Sequence, residues 1–297
     1  MCLLRRLRNP LSLLAAASLL QGCSGILAPV GPIGNAERTI LLDALAIMLA
    51  IVIPTIGATI AFAWWYRASN TRAQYQPTFT YSGRIELIVW SIPALVVFFL
   101  GGIAWIGSHD LDPFRPLPGK IKAVEIDVVA LDWKWLFIYP EQGVATLNHM
   151  VVPTGTPLRL RITSASVLNV FFVPRLGSQI YAMNGMASQL NLQADHPGTY
   201  LGLSAHFNGD GFADMHFDVQ AIPGADFTSW AATTHSNGPA LDEAAYRQLL
   251  RQSQHVKPST YSSVDPGLFD AILMQKLPPG EGPPDTPSPS SSITAAN

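Results

Sequence analysis

Residues 44–66 read ALAIMLAIVIPTIGATIAFAWWY, twenty-three consecutive positions without a charged side chain. Residues 87–108, LIVWSIPALVVFFLGGIAWIGS, form a second uncharged run of twenty-two. At about 1.5 Å of rise per residue each reaches about 33–35 Å as a helix, enough to cross a hydrocarbon core of about 30 Å. Pro54 and Pro93 lie inside the runs; membrane helices tolerate them where the freed carbonyls find other donors. Trp64, Trp65 and Tyr66 close the first run and Trp105 lies near the end of the second, where aromatic belts meet the headgroups. The loop at 67–84 holds Arg67, Arg72 and Arg84 and no acid, so it is expected on the cytoplasmic side. Asp43, just before the first run, reads as a helix start rather than a functional group.

Working outward, the N-terminal end repeats that topology. Arg5, Arg6 and Arg8 precede an apolar stretch from Leu11 to Leu20, followed by Gln21-Gly22-Cys23. A basic segment, a short apolar segment and a small residue before a cut describe an export signal. The cysteine after that cut resembles the lipoprotein signal, so Cys23 is expected to be acylated and to become the mature N-terminus. Gln21 departs from the small residue usual in that motif. Both ends of the mature chain then lie outside the cytoplasm.

Composition agrees with a membrane protein carrying a folded domain. Of 297 residues, 48% are hydrophobic and 13% charged, with a mean hydropathy of +0.25; soluble domains carry about 25% charged residues. Eighteen Lys and Arg against 20 Asp and Glu leave no basic excess for a nucleic-acid partner. The two cysteines are Cys2 and Cys23. The body of the chain therefore has neither a disulfide framework nor a thiolate metal site.

From about Lys120 the pattern changes to alternation. Residues 124–128, 133–137, 158–162 and 189–192 read as half-buried strands, punctuated by turn signals at 140–143, 153–155 and 196–198. Short strands at this spacing predict a sandwich or barrel of about 100 residues. Beyond Pro223 the period becomes helical, over 240–253 and 265–276, and from Pro278 onward Pro, Gly and Ser dominate. The expected division is an export signal at 1–22, a lipid-anchored external N-terminus at 23–38 and a two-helix hairpin at 39–108. A periplasmic β-sandwich follows at 109–222, then a C-terminal helical region at 223–277 and a disordered tail at 278–297.

Several motifs carry a resemblance. Asp132-Trp133-Lys134-Trp135 with Tyr139-Pro140-Glu141, then Val173-Pro174-Arg175-Leu176-Gly177-Ser178-Gln179, then Pro197-Gly198-Thr199-Tyr200 with Gly202 follow in order. Together with two spans ahead of a sandwich they resemble subunit II of haem-copper respiratory oxidases, over residues 39–221. That resemblance implies a cupredoxin-like all-β domain. Cytochrome c oxidases of the family hold two copper ions there, through a His, then Cys, Cys, His and Met at spacings of four, four and three. The pattern laid on this chain puts Asn169 at the first His, Ser204 and Asn208 at the cysteines, Phe212 at the second His and Met215 at the Met. His206 falls where the family has a Glu that lends its backbone carbonyl. A bridged dicopper site needs soft thiolates, which serine and asparagine do not supply.

The pattern therefore resembles the quinol-oxidising branch, the subunit II of cytochrome bo-type ubiquinol oxidases. Arg175 to Met183 also looks like the quinol-oxidase version of that loop. The resemblance implies a complex in the bacterial inner membrane that oxidises ubiquinol, reduces dioxygen to water and moves protons. Haems and copper would reside in a partner subunit I, with subunits III and IV and membrane lipid as further partners. This chain would hold no cofactor or catalytic residue. No cytochrome c is expected as donor, since eight acids and six bases between Lys120 and Gln220 give no strongly acidic docking face. Two other readings stand beside it: a cytochrome c oxidase subunit II, and a stand-alone periplasmic lipoprotein that binds a ligand or delivers copper.

Single residues follow from the same comparison. Glu86, at the mouth of the second span and shortly before Trp90-Ser91-Ile92-Pro93, matches a glutamate associated in the family with a proton-uptake entrance of subunit I; an interfacial anchor is the equal alternative. Trp133 and Trp135 are expected to fill the sandwich and a partner contact rather than to relay electrons. His206, His216 and Met215 are expected to form no residual metal site, and Asp210 to shape a turn.

Overall fold

The structure, a computed structural model, describes residues 25–74, 76–119, 121–280 and 282. The export signal, Cys23 and most of the expected tail fall outside them. The chain divides into a unit of residues 36–112 and a second unit that joins its N-terminal segment, through Asn35, to everything from Pro113 onward.

The first unit is a helical hairpin, with α1 at Pro32–Trp65 and α2 at Gly83–Asp110, both long and apolar enough to span a membrane. No side chain of α2 is buried within the chain, as expected of a helix whose solvent is lipid or a partner subunit. Hydroxyls inside the spans return to their own backbone: Thr55 and Thr59 donate to the carbonyls of Ile51 and Thr55 at 2.7 and 2.8 Å. That satisfies polar groups for which a bilayer offers no water. At the far end of α2, a Cβ on Gly107 would stand 2.7 Å from the Ile40 side chain, so the missing side chain lets the helices approach.

α1 starts well before the uncharged run, at Pro32, a residue suited to a first helical turn because its φ is preset and it lacks the N–H. Residues 28–34, which run into its first turn, are stitched to the rest of the second unit. Val30 donates to the carbonyl of Arg175 and accepts from Asp195, both at 2.8 Å, and Gly34 donates to Leu176 at 3.1 Å. The Arg175 guanidinium donates to the Ala28 carbonyl at 3.0 Å, and Val30 is buried in the sandwich core.

That core lies between two sheets. The first takes β1 (Val124–Leu131), β2 (Lys134–Tyr139), β3 (Val144–Leu147), β5 (Leu158–Ser164) and β8 (Ser188–Leu192). The second takes β4 (His149–Pro153), β6 (Asn169–Phe172), β7 (Ile180–Ala182), β9 (Gly198–Ser204) and β10 (His216–Ile222). Pairing is antiparallel except for β1 with β5 and β4 with β10. Side chains from both sheets meet around Trp135, Phe137, Phe171 and Phe217. The cupredoxin-like sandwich expected from the sequence is present.

The expectation of half-buried strands is corrected for part of the first sheet. Residues 158–162 of β5 alternate as predicted, but β2 and β3 are buried at every position. Their outer faces are covered by the C-terminal region. Val129, Leu131, Leu136, Ile138 and Leu147 form a second core with Leu241, Tyr246, Leu268, Phe269 and Ile272. That region holds α3 (Gly224–Ser236), β11 (Ala240–Leu241), α4 (Glu243–Leu249), β12 (Ser259–Tyr261), β13 (Ser263–Val264) and α5 (Leu268–Leu273). It is thus less helical than its periodicity suggests, since β12 extends the first sheet by pairing with β3. The helix expected over 240–253 begins only after Asp242, whose carboxylate caps it by accepting from Ala245 N–H at 2.7 Å. The one expected over 265–276 begins after Gly267, at φ 83°. Of the expected tail, Gly280 donates to the Ala165 carbonyl at 2.8 Å and Gly282 to Asp132 at 3.2 Å.

Candidate functional site

β6, β9 and the start of β10 bring together the positions that the sequence pattern aligns with copper ligands. Phe171 of β6 pairs with Ser204 at the end of β9, and Leu203 with His216. The chain between Ser204 and Met215 forms a loop closed by a 3-10 turn at Phe212–Asp214. Asn169, Ser204, Asn208 and Met215 are buried side by side, beneath it. Under them lies an aromatic floor, with the Phe171 and Phe217 rings stacked at 5.2 Å and Trp135 edge-on to Phe171 at 5.5 Å.

These side chains are joined in one hydrogen-bonded web. The Asn208 amide donates to Asn169 Oδ1 and to Met215 Sδ, the latter at 3.0 Å. Ser204 Oγ lies 3.4 Å from both Asn169 Oδ1 and the His206 carbonyl, and Asn169 Nδ2 donates to the Val167 carbonyl at 3.0 Å. Trp133 Nε1 donates to the Asn208 carbonyl at 3.3 Å. A Cβ on Gly211 would fall 2.4 Å from the Trp133 ring, so glycine is what lets the loop lie on that indole. Asn208 Oδ1 is left buried without a partner.

The donor set does not fit a dinuclear copper centre. It offers an amide, a hydroxyl and one thioether already engaged by Asn208, and no thiolate. Phe212 turns its ring to the exposed Phe207, centroids 5.6 Å apart. His206 and His216 are exposed while Met215 is buried. Among the described residues no group of three or more His, Cys, Asp or Glu could hold a metal. Over the web lies a cleft lined by Leu201, Leu203, Phe212 and Met215, and Phe207 beside it is 71% exposed.

The tryptophan motif does more than fill space. Trp135 is fully buried in the core and Trp133 supports the loop. The two polar residues between and before them, missed in the sequence, hold the C-terminal region. Lys134 is 1% exposed, and its ammonium donates to the Arg251 carbonyl and to Ser253 Oγ at 2.7 and 2.6 Å. Asp132 accepts from Ser166, from Gln252 and from Gly282 N–H. Asn148, at φ 53°, accepts from Trp135 N–H and donates to the Val256 carbonyl, both at 2.8 Å. Nothing in a linear pattern marks a lysine as buried; only its place between two tryptophans hinted at it.

Burial disfavours the ammonium form and brings Lys134 from 10.5 down to about 8. Between those values the unfolded chain holds a proton that the folded chain has released, so this group makes stability rise with pH across that window; below it both states are protonated and the contribution is constant. The expected result is a wild-type urea midpoint that climbs between pH 8 and pH 10 relative to Lys134→Met. The difference should have a slope of up to about 1.4 kcal/mol per pH unit. Parallel curves for the two proteins would show that Lys134 stays charged in the fold.

Glu86 lies in the first turn of α2, exposed, and its carboxylate accepts from Trp90 Nε1 at 3.1 Å. Cys23 lies outside the described residues.

Comparison with known proteins follows the same division of the chain. Residues 119–222 match the family described as cytochrome c oxidase subunit II, periplasmic domain, and residues 235–280 match the COX aromatic-rich motif. The chain is 48% identical to cytochrome bo(3) ubiquinol oxidase subunit 2 of Pseudomonas aeruginosa over 261 residues, 88% of this chain and 79% of that one. It is 46% identical to ubiquinol oxidase subunit 2 of Acetobacter aceti over 264 residues, 88% and 85% of the two chains. Among solved structures it is similar to the periplasmic domain of subunit II of the cytochrome oxidase of Bradyrhizobium japonicum. That similarity is at 26% identity and a TM-score of 0.37, covering 38% of this chain and 94% of that one.

Proposed function

This chain belongs to the ubiquinol oxidase subunit 2 family, and from that premise we propose that it works without a copper centre of its own, as a non-catalytic subunit of the complex. It is subunit II of a quinol oxidase of the aerobic respiratory chain, with two spans in the inner membrane and its C-terminal domain in the periplasm. The observation that carries the copper-free reading is the web itself: Asn169, Ser204, Asn208 and Met215 are hydrogen-bonded to one another where metal donors would have to stand. An electron from a water-soluble donor has no relay here. A lipid-dissolved quinol reaches a haem-bearing subunit I within the bilayer and needs none. The chain then contributes assembly and a cap over subunit I, whose haems and copper carry the chemistry. Subunits III and IV complete the complex, Cys23 anchors the mature N-terminus through its acyl group, and Glu86 is the candidate for a proton-uptake entrance.

Extraction in mild detergent should bring down a haem-bearing polytopic partner. The purified complex should oxidise ubiquinol and leave reduced cytochrome c untouched, and its copper should be accounted for by subunit I alone. Cytochrome c turnover with a mixed-valence copper signal would favour a cytochrome c oxidase subunit. A chain that purifies alone with bound metal would favour a copper-delivery lipoprotein.

A further inference from the structure

The loop end of the membrane hairpin carries an open cavity of about 730 Å3. Its lining combines aromatic residues, Phe62 and Trp65 from the last turns of α1 and Phe79 from the loop, with the polar Arg72, Gln74 and Gln76. Its height is fixed by the chain, since α1 ends at Trp65 and the uncharged run ends one residue later. The cavity therefore sits where acyl chains give way to headgroups, on the cytoplasmic side.

The cations around it differ in what they hold. Arg67 folds back over the Trp64 ring at 4.7 Å and donates to the Trp64 carbonyl and to Ser69 Oγ, both at 3.0 Å. Arg72 is engaged only through its backbone N–H, which donates to Asn70 Oδ1 at 3.2 Å. Arg72 lines the cavity, and its guanidinium makes no ion pair or hydrogen bond among the described residues. No acid occurs between Arg67 and Arg84 to neutralise it.

A free fork of donors, two carboxamides and an aromatic wall suit a ligand with anionic oxygens at one end and hydrocarbon at the other. A small free anion would leave the aromatic wall uncovered, and an uncharged quinol would leave the guanidinium unpaired. We propose that this cavity binds an anionic phospholipid of the cytoplasmic leaflet, its phosphate on Arg72 and its upper acyl chains against Phe62, Trp65 and Phe79.

The test uses the intact detergent-purified complex and photo-crosslinkable lipids, reading label on the peptide spanning residues 62–85. Phosphatidylglycerol should label wild type and Arg67→Gln alike. Arg72→Gln should fall about fivefold, the weight of one basic residue at an anionic surface, to the level that phosphatidylcholine gives with wild type. Arg72→Lys should keep most of the label, and excess inorganic phosphate should leave it in place. Equal labelling by the two lipids, equal loss in both arginine variants, or displacement by inorganic phosphate would overturn the proposal. So would a complete lack of label in the intact complex, which would mean that a neighbouring subunit fills the cavity.

Discussion

A protein carrying Asn169→His, Ser204→Cys, Asn208→Cys and Phe212→His together is expected to bind two copper ions per chain and to develop a mixed-valence visible absorption that the wild type lacks. The fold already does the harder part. Three of the four positions are buried beside Met215 at the meeting of β6, β9 and β10, and Phe212 follows in the closing turn. The His206 carbonyl already points at Ser204 Oγ, and Trp133 holds the loop through a backbone carbonyl that substitution leaves in place. Replacing Asn208 also frees the Met215 sulfur, to which its amide donates. What is missing is donor chemistry: two thiolates to bridge the ions and two imidazoles to complete them. Without metal the variant should lose about 1–3 kcal/mol, because buried carbonyls and hydroxyls lose partners, and copper should restore stability as it binds the folded state. Copper titration followed by absorbance and electron paramagnetic resonance checks the result. A folded variant that takes up no copper would show that the loop backbone, and not the ligands alone, has departed from a copper-binding geometry.

Gly31→Ala is expected to release the N-terminal segment from the sandwich and to destabilise the protein by about 3 kcal/mol. A Cβ at this position would stand 2.0 Å from the Gln193 carbonyl oxygen and 3.2 Å from its carbon. The obstacle is backbone, fixed beside β8, so no rotamer change can make room, and overpacking of this kind costs about 1–3 kcal/mol or more. The loss should be at the upper end because the neighbouring residue goes with it: Val30 leaves the core and its two backbone hydrogen bonds break. Gly119→Ala is the control, since nothing lies within 4 Å of its Cβ, and it should stay within about 0.5 kcal/mol of wild type. Thermal unfolding of the two variants separates the outcomes. Equal stabilities would mean that residues 28–34 dock too weakly to hold the segment ahead of α1 against the domain.

Features set by a few neighbouring residues were readable directly. A helix in lipid needs only an unbroken apolar run, which is why 44–66 and 87–108 announce α1 and α2. The absence of cysteine beyond Cys23 is a covalent fact, so the thiolates are missing whatever shape the loop takes. The order of Asn169, Ser204, Asn208 and Met215 also survived in the spacing, and their convergence could be expected from it.

Packing between distant segments was not readable, because no local period records it. β2 and β3 carry apolar residues on both faces, and the reason lies more than a hundred residues away, where Tyr246, Phe269 and Ile272 supply a second core. The ammonium of Lys134 is held by Arg251 and Ser253, and Val30 by Arg175 and Asp195. Sequence by itself determined the spans, the sandwich and the loss of thiolate donors, since each depends on side-chain identity and short-range spacing. Only the tertiary structure decided how Asn169, Ser204, Asn208 and Met215 engage one another and what clamps residues 28–34 and the C-terminal region to the sandwich, since hydrogen bonds and close packing form between segments that only the completed fold brings together.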